Sequence, residues 1–229
     1  MLRVGLTGDL GSGKSTVAAM LAARGAVVLA SDEMARAMMS PGQLVYEQIV
    51  ARFGNSVVAA DGTLDRRRLA ELAFAADAPR VAELNAIVHP AVLAAQAEMM
   101  AALAETHRIV VVESALIFTV QTADARPWRE RFDRILLVTA PEEQKIGRFL
   151  SRITAGRTPS PEERAALEAD ARRRLVLQHG GQSAEAHAAE CLVLRNDRSP
   201  AELGPQVEAA WSELLRLEEQ TRSTGSVGR

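Results

Sequence analysis

The sequence lacks the features that mark secreted, membrane-spanning and nucleic-acid-binding proteins. Its one cysteine, Cys191, excludes an internal disulfide and agrees with a reducing compartment. No stretch approaches the roughly 18 consecutive apolar residues of a membrane span, and the apolar residues 2–6 run into glycines too soon for a signal peptide. A net charge of −2 gives no reason to expect nucleic acid as the main partner, since that usually needs a basic surface. We therefore expect a cytoplasmic protein with no nucleic-acid, membrane or obligate protein partner.

Five short apolar runs predict the strands of one parallel sheet. They are continuous rather than alternating, as in strands that are buried on both faces, and they cover residues 2–7, 27–30, 109–112, 134–139 and 191–194. Helix-forming sequence lies between them, with serine–proline starts at Ser40, Ser160 and Ser199. The alternation predicts an α/β fold, a three-layer α/β/α sandwich with a five-stranded parallel sheet.

Two regions interrupt this alternation within what we expect to be a single domain over residues 1–229. Residues 61–106 favour helix and contain no strand pattern, which indicates a helical insertion after the second strand. Residues 150–180 also lack a strand pattern and are rich in arginine. The polar, glycine-rich residues 221–229 predict a disordered tail.

Residues 8–15 match the phosphate-binding pattern G-x-x-x-x-G-K-[ST], directly after the first strand and before an amphipathic helix. Glycines let such a loop aim its N–H groups at phosphate oxygens, the lysine adds a mobile positive charge, and the hydroxyl of Ser15 can bind Mg²⁺. The pattern predicts that ATP is bound as its magnesium complex. The residues expected to hold it are Gly8, Asp9, Leu10, Gly11, Ser12, Gly13, Lys14, Ser15 and Thr16.

Phosphoryl transfer also needs a group that orients or deprotonates the acceptor hydroxyl. Asp32 follows the second strand, at the carboxyl edge where open α/β sheets bind ligands, which favours a functional role over the alternative that it only serves the first turn of a helix. Glu113 ends the third strand and could be either a metal-linked acid or an ion-pair partner. His89 precedes Pro90, which disfavours helix and predicts a break there, where a histidine is more often structural than catalytic.

Together these segments resemble dephospho-CoA kinases over most of the chain. The resemblance starts in the phosphate loop and continues in residues 32–36 (Asp-Glu-Met-Ala-Arg) and 61–69. Residues 85–90, Asn-Ala-Ile-Val-His-Pro, are the most discriminating, because shikimate, gluconate and nucleoside kinases lack them. Further matches lie at Arg148, Arg152, Arg174 with Gln178, and Asn196 with Asp197.

The resemblance implies transfer of phosphate from ATP to the ribose 3′-hydroxyl of dephospho-CoA, the last step of coenzyme A synthesis. It implies that Asp32 and Lys14 are catalytic, that Arg148 and Asn196 contribute to the ATP site, and that Asp32, Arg36 and His89 bind substrate. Residues 61–106 would then be the CoA-binding insertion, and the arginine-rich residues 150–180 would be a lid.

Two departures from the family pattern leave alternatives open. Ala30 stands where the family often has a second aspartate, and Thr119 stands where a glutamate closes the segment after the third strand. These departures keep open a catalytically weakened nucleotide-binding protein, and a phosphate-loop kinase for another small metabolite is the second alternative. A GTP-dependent switch is disfavoured because no Asn-Lys-x-Asp motif is present.

Overall fold

The computed structural model describes residues 1–75, 79–119, 127–178, 184–197 and 200–225. The strands are β1 (Leu2–Thr7), β2 (Val27–Ala30), β3 (Ile109–Glu113), β4 (Arg134–Thr139) and β5 (Leu192–Arg195). The helices are α1 (Lys14–Ala22), α2 (Ser31–Met38), α3 (Leu44–Phe53), α4 (Arg66–Ala73), α5 (Val81–Leu103), α6 (Trp128–Arg131), α7 (Glu142–Ile153), α8 (Pro161–Gln178) and α9 (Pro200–Gly225).

The five strands form one sheet in the order β2-β3-β1-β4-β5, with every strand parallel. β1 lies at the centre, where Leu2 is paired with Ile109 of β3 and Val4 with Arg134 of β4. The predicted α/β fold is confirmed, and each predicted strand is present within one residue of its expected bounds. Because the strands are parallel, the phosphate loop after β1 lies at the carboxyl edge of the sheet.

The described residues fall into two compact units. The first comprises Met1–Leu29 and the described part of 102–229, and it holds most of the sheet. Apolar residues of β1, β4, α1 and α9 meet in its core, where Leu6, Leu21, Leu136, Leu203 and Leu214 are almost completely buried. The buried side of α1 carries Leu21, which anchors the helix directly behind the phosphate loop.

The second unit, Ala30–Ala101, consists mainly of helices α2 to α5. Its core is formed by Val45, Ile49, Phe53, Val57 and Leu69. Within the predicted insertion, residues 61–106, the structure places α4 and most of α5, and the one described extended pairing here is the bridge between Val58 and Leu64.

Helix α5 corrects the prediction of a break at His89. It continues from Val81 to Leu103 with Pro90 inside. A proline removes only its own N–H from the helical ladder, whereas Ile87 before Pro90 and Ala91 after it pack against the core of the second unit. Packing therefore outweighs the local preference of the His89–Pro90 pair.

By length and composition alone, α5 could also cross a membrane, with a mean hydropathy of 1.4 over its most apolar window. The sequence of α5 contains no unbroken apolar run of that length, because polar residues such as Asn85 and Gln96 interrupt it. Helices that pack inside a protein meet the same test. Leu84, Ile87 and Val88 contact the core of the second unit, so part of the apolar surface of α5 is packed within that unit.

The C-terminal helix is longer than the sequence suggested. α9 extends through Gly225, so residues 221–225 of the expected disordered tail are helical, while residues 226–229 lie outside the described residues. Thr221 and Ser223 donate their hydroxyl hydrogens to the carbonyls of Leu217 and Glu219, each at 2.9 Å. These bonds satisfy the hydroxyl groups of Thr221 and Ser223 within α9. The two polar residues therefore do not end the helix.

Candidate nucleotide and substrate sites

The phosphate loop, residues 8–15, joins β1 to α1 in a conformation that only glycine adopts easily at several positions. Gly11 and Gly13 have φ values of +73° and +102°. A methyl group on Gly11 would lie 2.1 Å from the carbonyl oxygen of Lys145, and one on Gly13 would lie 2.2 Å from Nδ2 of Asn196. Both positions therefore require glycine for backbone conformation and for space.

Lys14 begins α1 and its ammonium turns back over the loop. It donates hydrogen bonds to the carbonyl oxygens of Gly8 at 2.9 Å and Asp9 at 3.2 Å. These are weak neutral acceptors compared with phosphate oxygens, so an anion in the loop can draw the ammonium to itself. Ser15 and Thr16 are exposed in the first turn of α1, where the helix dipole favours negative charge.

Two hydroxyl groups at this site are buried without a hydrogen-bond partner among the described residues. They are Oγ1 of Thr7, the last residue of β1, and Oγ of Ser12 in the loop. Buried polar groups are nearly always paired, so orphans beside a phosphate loop fit a site that receives an oxygen-rich ligand.

Magnesium would be shared between the protein and such a ligand. In the part of the chain that the structure describes, no group of three or more His, Cys, Asp or Glu side chains could hold a metal ion. Mg²⁺ is commonly held by one or two protein oxygens together with phosphate oxygens and water. The exposed hydroxyl of Ser15 suits this arrangement, so the loop fits MgATP.

A second layer of side chains holds the outer side of the loop. Asn196, just after β5, donates from Nδ2 to the carbonyl oxygen of Ser12 at 2.8 Å. Arg148 of α7 donates to the carbonyl oxygen of Asn196 at 2.8 Å and to Oε1 of Gln144 at 3.0 Å. It also reaches the carbonyl of Gly11 at 3.4 Å. The structure thus brings Arg148 and Asn196 to the loop, in contact with its backbone.

Lys145 also belongs to this site and was missed by the sequence analysis. Its ammonium forms an ion pair with the carboxylate of Asp9 and lies 3.5 Å from a carboxylate oxygen of Glu185. The pair between Lys145 and Asp9 is buried and joins the loop to α7. Lys145 stands in helix-forming sequence, with two acidic residues before it and an arginine after it. Nothing in that stretch of sequence predicts that its side chain points inward.

Beside the loop lies a cavity of about 890 Å³, within the size range of small-molecule sites. Its lining includes Asp9, Thr139, Pro141, Lys145 and Arg195, all from the first unit. The cavity therefore gives the phosphate loop a neighbouring space large enough for the rest of a nucleotide.

The arginine-rich residues 150–180 form the end of α7, a connection and α8. Their arginines mostly pair with acids close in sequence, as Arg157 does with Glu163, and Arg173 and Arg174 do with Asp170. Arg152 is exposed and lies over the ring of Phe149, with no ion pair to a described residue. Gln178 ends α8, at the limit of what is described there.

In the second unit, Asp32 and Arg36 lie one turn apart on α2, and both are exposed. The carboxylate of Asp32 makes no hydrogen bond or ion pair with any residue that the structure describes, so it does not cap the helix. The preceding residue, Ser31, accepts a hydrogen bond at 2.8 Å from Nε2 of Gln96 in α5. Gln96 is 4% exposed, so a buried contact holds the start of α2.

His89 lies partly buried in α5, and burial lowers the pKa of its imidazole below the ordinary value of 6.5. The ring is therefore neutral at pH 7, with one nitrogen able to donate and the other able to accept a hydrogen bond.

Gln96 stands two turns further along the same helix. The Gln96 contact was missed because a single glutamine in an apolar helix carries no recognisable pattern.

A family model of dephospho-CoA kinases matches residues 2–198. The chain is 38% identical over 217 residues to a dephospho-CoA kinase of Thermobifida fusca, covering 94% of this chain and 98% of the relative. It is 34% identical to one of Streptomyces avermitilis, covering 96% and 97%. Among solved structures it is similar to TT1252 of Thermus thermophilus, with a TM-score of 0.63, 31% identity and 93% and 97% coverage.

Proposed function

The chain belongs to the dephospho-CoA kinase family and phosphorylates dephospho-CoA, and we propose that the acceptor is the ribose 3′-hydroxyl and the donor MgATP. The observation that carries the proposal is Asp32, an exposed carboxylate in the first turn of α2, two residues after β2, with no partner among the described residues. An acid placed after a strand of a parallel sheet, in a chain with an intact phosphate loop, suits a group that serves an acceptor hydroxyl.

The phosphate loop binds the β- and γ-phosphates in this proposal. Lys14 exchanges its bonds to the carbonyls of Gly8 and Asp9 for phosphate oxygens, and its charge stabilises the negative charge that develops during transfer. The backbone of residues 8–16 surrounds the phosphates, with Ser15 as the protein ligand of Mg²⁺. Mg²⁺ held by Ser15 would neutralise phosphate charge when bound.

Asp32 orients the ribose 3′-hydroxyl and accepts its proton. The hydroxyl oxygen forms a bond to the γ-phosphorus while the bond from that phosphorus to the bridging oxygen of ADP breaks. ADP leaves with the electron pair of the broken bond, and the proton goes to the carboxylate of Asp32.

Arg148 and Asn196 contribute to ATP binding by holding the loop from outside, and their contacts with its backbone support that role. For the lid, residues 150–180, we propose Arg152 as the arginine that reaches the triphosphate. Its neighbours Arg157, Arg173 and Arg174 are already paired with acids, whereas Arg152 is exposed and pairs with none that the structure describes.

Residues 61–106 bind the CoA portion of the substrate, together with Arg36 of α2. His89 supplies a neutral imidazole that hydrogen-bonds a substrate oxygen. We also propose that the protein acts in the cytoplasm, without nucleic acid, a membrane or an obligate protein partner, in keeping with its net charge of −2 and its single cysteine.

The test is the identity of the product. Purified protein is incubated with dephospho-CoA and ATP labelled in the γ-phosphate, with and without Mg²⁺, and the labelled product is analysed by phosphorus NMR. The proposal predicts a magnesium-dependent phosphate monoester at the ribose 3′ position. Label at the 2′ position or on the pantetheine hydroxyl would contradict it.

A further inference from the structure

Asp9 places a negative charge inside the phosphate loop, directly after Gly8. The loop is built to bind an anion, and like charges repel each other most strongly where little water lies between them. The side chain of Asp9 is only 9% exposed, so water screens its charge poorly. A loop of this sequence therefore needs a positive charge from elsewhere in the protein to bind a triphosphate well.

Lys145 of α7 supplies that charge. Its ammonium forms an ion pair with the carboxylate of Asp9, and its own side chain is equally buried. A second carboxylate, that of Glu185, lies 3.5 Å from the same ammonium, but Glu185 is 48% exposed and its charge is screened by water. Asp9 is thus the nearer and the more buried of the two acids, and the charge of Lys145 acts chiefly on the phosphate loop.

The backbone of Asp9 is held by the other lysine of the chain. Its carbonyl oxygen accepts a hydrogen bond at 3.2 Å from the ammonium of Lys14. The two lysines therefore meet at one residue, Lys14 at the backbone and Lys145 at the side chain. A carboxylate attracts an ammonium more strongly than a carbonyl does. Without Lys145, the carboxylate of Asp9 would compete with phosphate oxygens for Lys14.

Other contacts hold the loop against α7 independently of this charge. The carbonyl oxygen of Lys145 leaves no room for a side chain at Gly11. Arg148, one turn further along α7, donates to the carbonyl oxygens of Gly11 and Ser12, each at 3.4 Å. These backbone contacts remain when the side chain of Lys145 is changed. A substitution that removes only its charge therefore tests the charge and not the position of the loop.

We propose that Lys145 is a positioning residue of the ATP site that acts by charge. It holds the carboxylate of Asp9, so that the loop presents no uncompensated negative charge to the β- and γ-phosphates and Lys14 turns to them. The inference rests on the proposed function, because it requires ATP to bind in this loop. Lys145 acts through Asp9 and takes no part in the chemical step.

Two substitutions remove one charge each and keep the hydrogen bond between the two side chains. Lys145→Gln keeps an N–H that donates to the carboxylate of Asp9, and Asp9→Asn keeps an oxygen that accepts from the ammonium of Lys145. They change the charge beside the phosphates in opposite directions, and the double variant restores the original balance. Affinity for a nucleotide should follow that charge.

The chain provides a matched control for the loss of a positive charge. Arg3 pairs with Asp133 at 2.6 Å in the same unit, near the start of β1 and at the other end of that strand from the phosphate loop. Arg3→Gln therefore changes the net charge by the same amount and weakens an ion pair, but it leaves the charge of the loop as it is.

The experiment measures the Kd of MgATP and MgADP by calorimetry for all five proteins, with urea unfolding of each. We expect Lys145→Gln to raise the Kd of MgATP by at least about tenfold, because the charge of Asp9 then acts on the phosphates. Asp9→Asn should lower this Kd, and its addition to Lys145→Gln should recover most of the loss. The effect of Lys145→Gln should be smaller for MgADP, which carries less negative charge. Arg3→Gln should stay within about twofold of wild type.

A pair that only stabilises the fold gives a different pattern. Both single variants would then bind MgATP more weakly, in step with their loss of stability, and MgADP would be affected as much as MgATP. That pattern, or a Kd of Lys145→Gln equal to that of Arg3→Gln, would overturn this inference alone. If Lys145→Gln does not fold, Asp9→Asn decides: a lower Kd supports the inference, and an equal or higher one contradicts it. Wild-type protein that does not bind MgATP would overturn the proposed function as well.

Discussion

The ammonium of Lys145 lies against the carboxylate of Asp9, and both side chains are only 9% exposed. Asp9 is the second residue of the phosphate loop, and the carbonyl of Lys145 is also the atom against which Gly11 packs. One residue of α7 therefore contacts the loop with its side chain and its backbone. This contact links the position of α7, which leads into the arginine-rich segment, to the shape of the loop.

Loss of one partner of this buried pair should destabilise the protein strongly. Lys145→Met removes the ammonium that faces the buried carboxylate of Asp9, and we expect a loss of about 3–5 kcal/mol in the free energy of unfolding. The double variant Asp9→Asn with Lys145→Met removes both charges and should recover much of that loss. Urea unfolding of the three proteins measures both effects. A single variant as stable as wild type would show that the pair contributes nothing.

Substitution of Lys14, the other lysine near the loop, should change stability little and turnover strongly. Lys14→Met removes hydrogen bonds to two backbone carbonyls, so the free energy of unfolding should change by about 1 kcal/mol or less. The turnover number should fall by at least about a hundredfold, because a cation aimed at developing charge is lost. Steady-state kinetics and a urea titration on the same preparation separate the two effects. Near-normal turnover would exclude a catalytic role for Lys14.

The partly buried imidazole of His89 should make stability depend on pH. Its folded-state pKa lies below the ordinary 6.5, so as pH falls through about 6.5 the unfolded chain gains a proton that the folded chain does not. Stability is therefore lost on acidification, until the lowered pKa is reached. His89→Gln should lose less stability than wild type between about pH 7.5 and pH 5.5, measured by urea unfolding.

His107 supplies the control for this experiment, because its imidazole is exposed. His107→Gln should follow the wild-type pH dependence. If the His89 variant also followed it, burial of the imidazole would have no consequence for stability.

The sheet and the phosphate loop could be predicted because their signals are local. A strand buried on both faces is a continuous apolar run, and Gly8, Gly13, Lys14 and Ser15 stand at fixed spacing in one segment. The Ser160 start of α8 was also correct, since its Oγ accepts a hydrogen bond at 3.2 Å from the N–H of Glu163.

Local sequence patterns did not predict the structure correctly where contacts between distant residues determine it. The start predicted at Ser40 was wrong, because α3 begins at Leu44 and Ser40 belongs to a turn closed by the N–H of Gln43. The Ser199 start lies outside the described residues. The burial of Lys145 against Asp9, 136 positions away, depends on the folded chain. A residue count gives a hint, since the chain has only two lysines and both contact the phosphate loop.

The turnover number of Asp32→Asn with dephospho-CoA tests the central claim most directly, because the account makes Asp32 the group that accepts the proton of the ribose hydroxyl. Asparagine keeps the size of the side chain and its ability to accept a hydrogen bond at a helix start, but it cannot take a proton. We expect turnover at saturating substrates to fall by about a hundredfold or more, while the free energy of unfolding changes by about 1 kcal/mol or less. Turnover within a few-fold of wild type, with a lowered melting temperature, would contradict the account and make Asp32 a residue of the helix start.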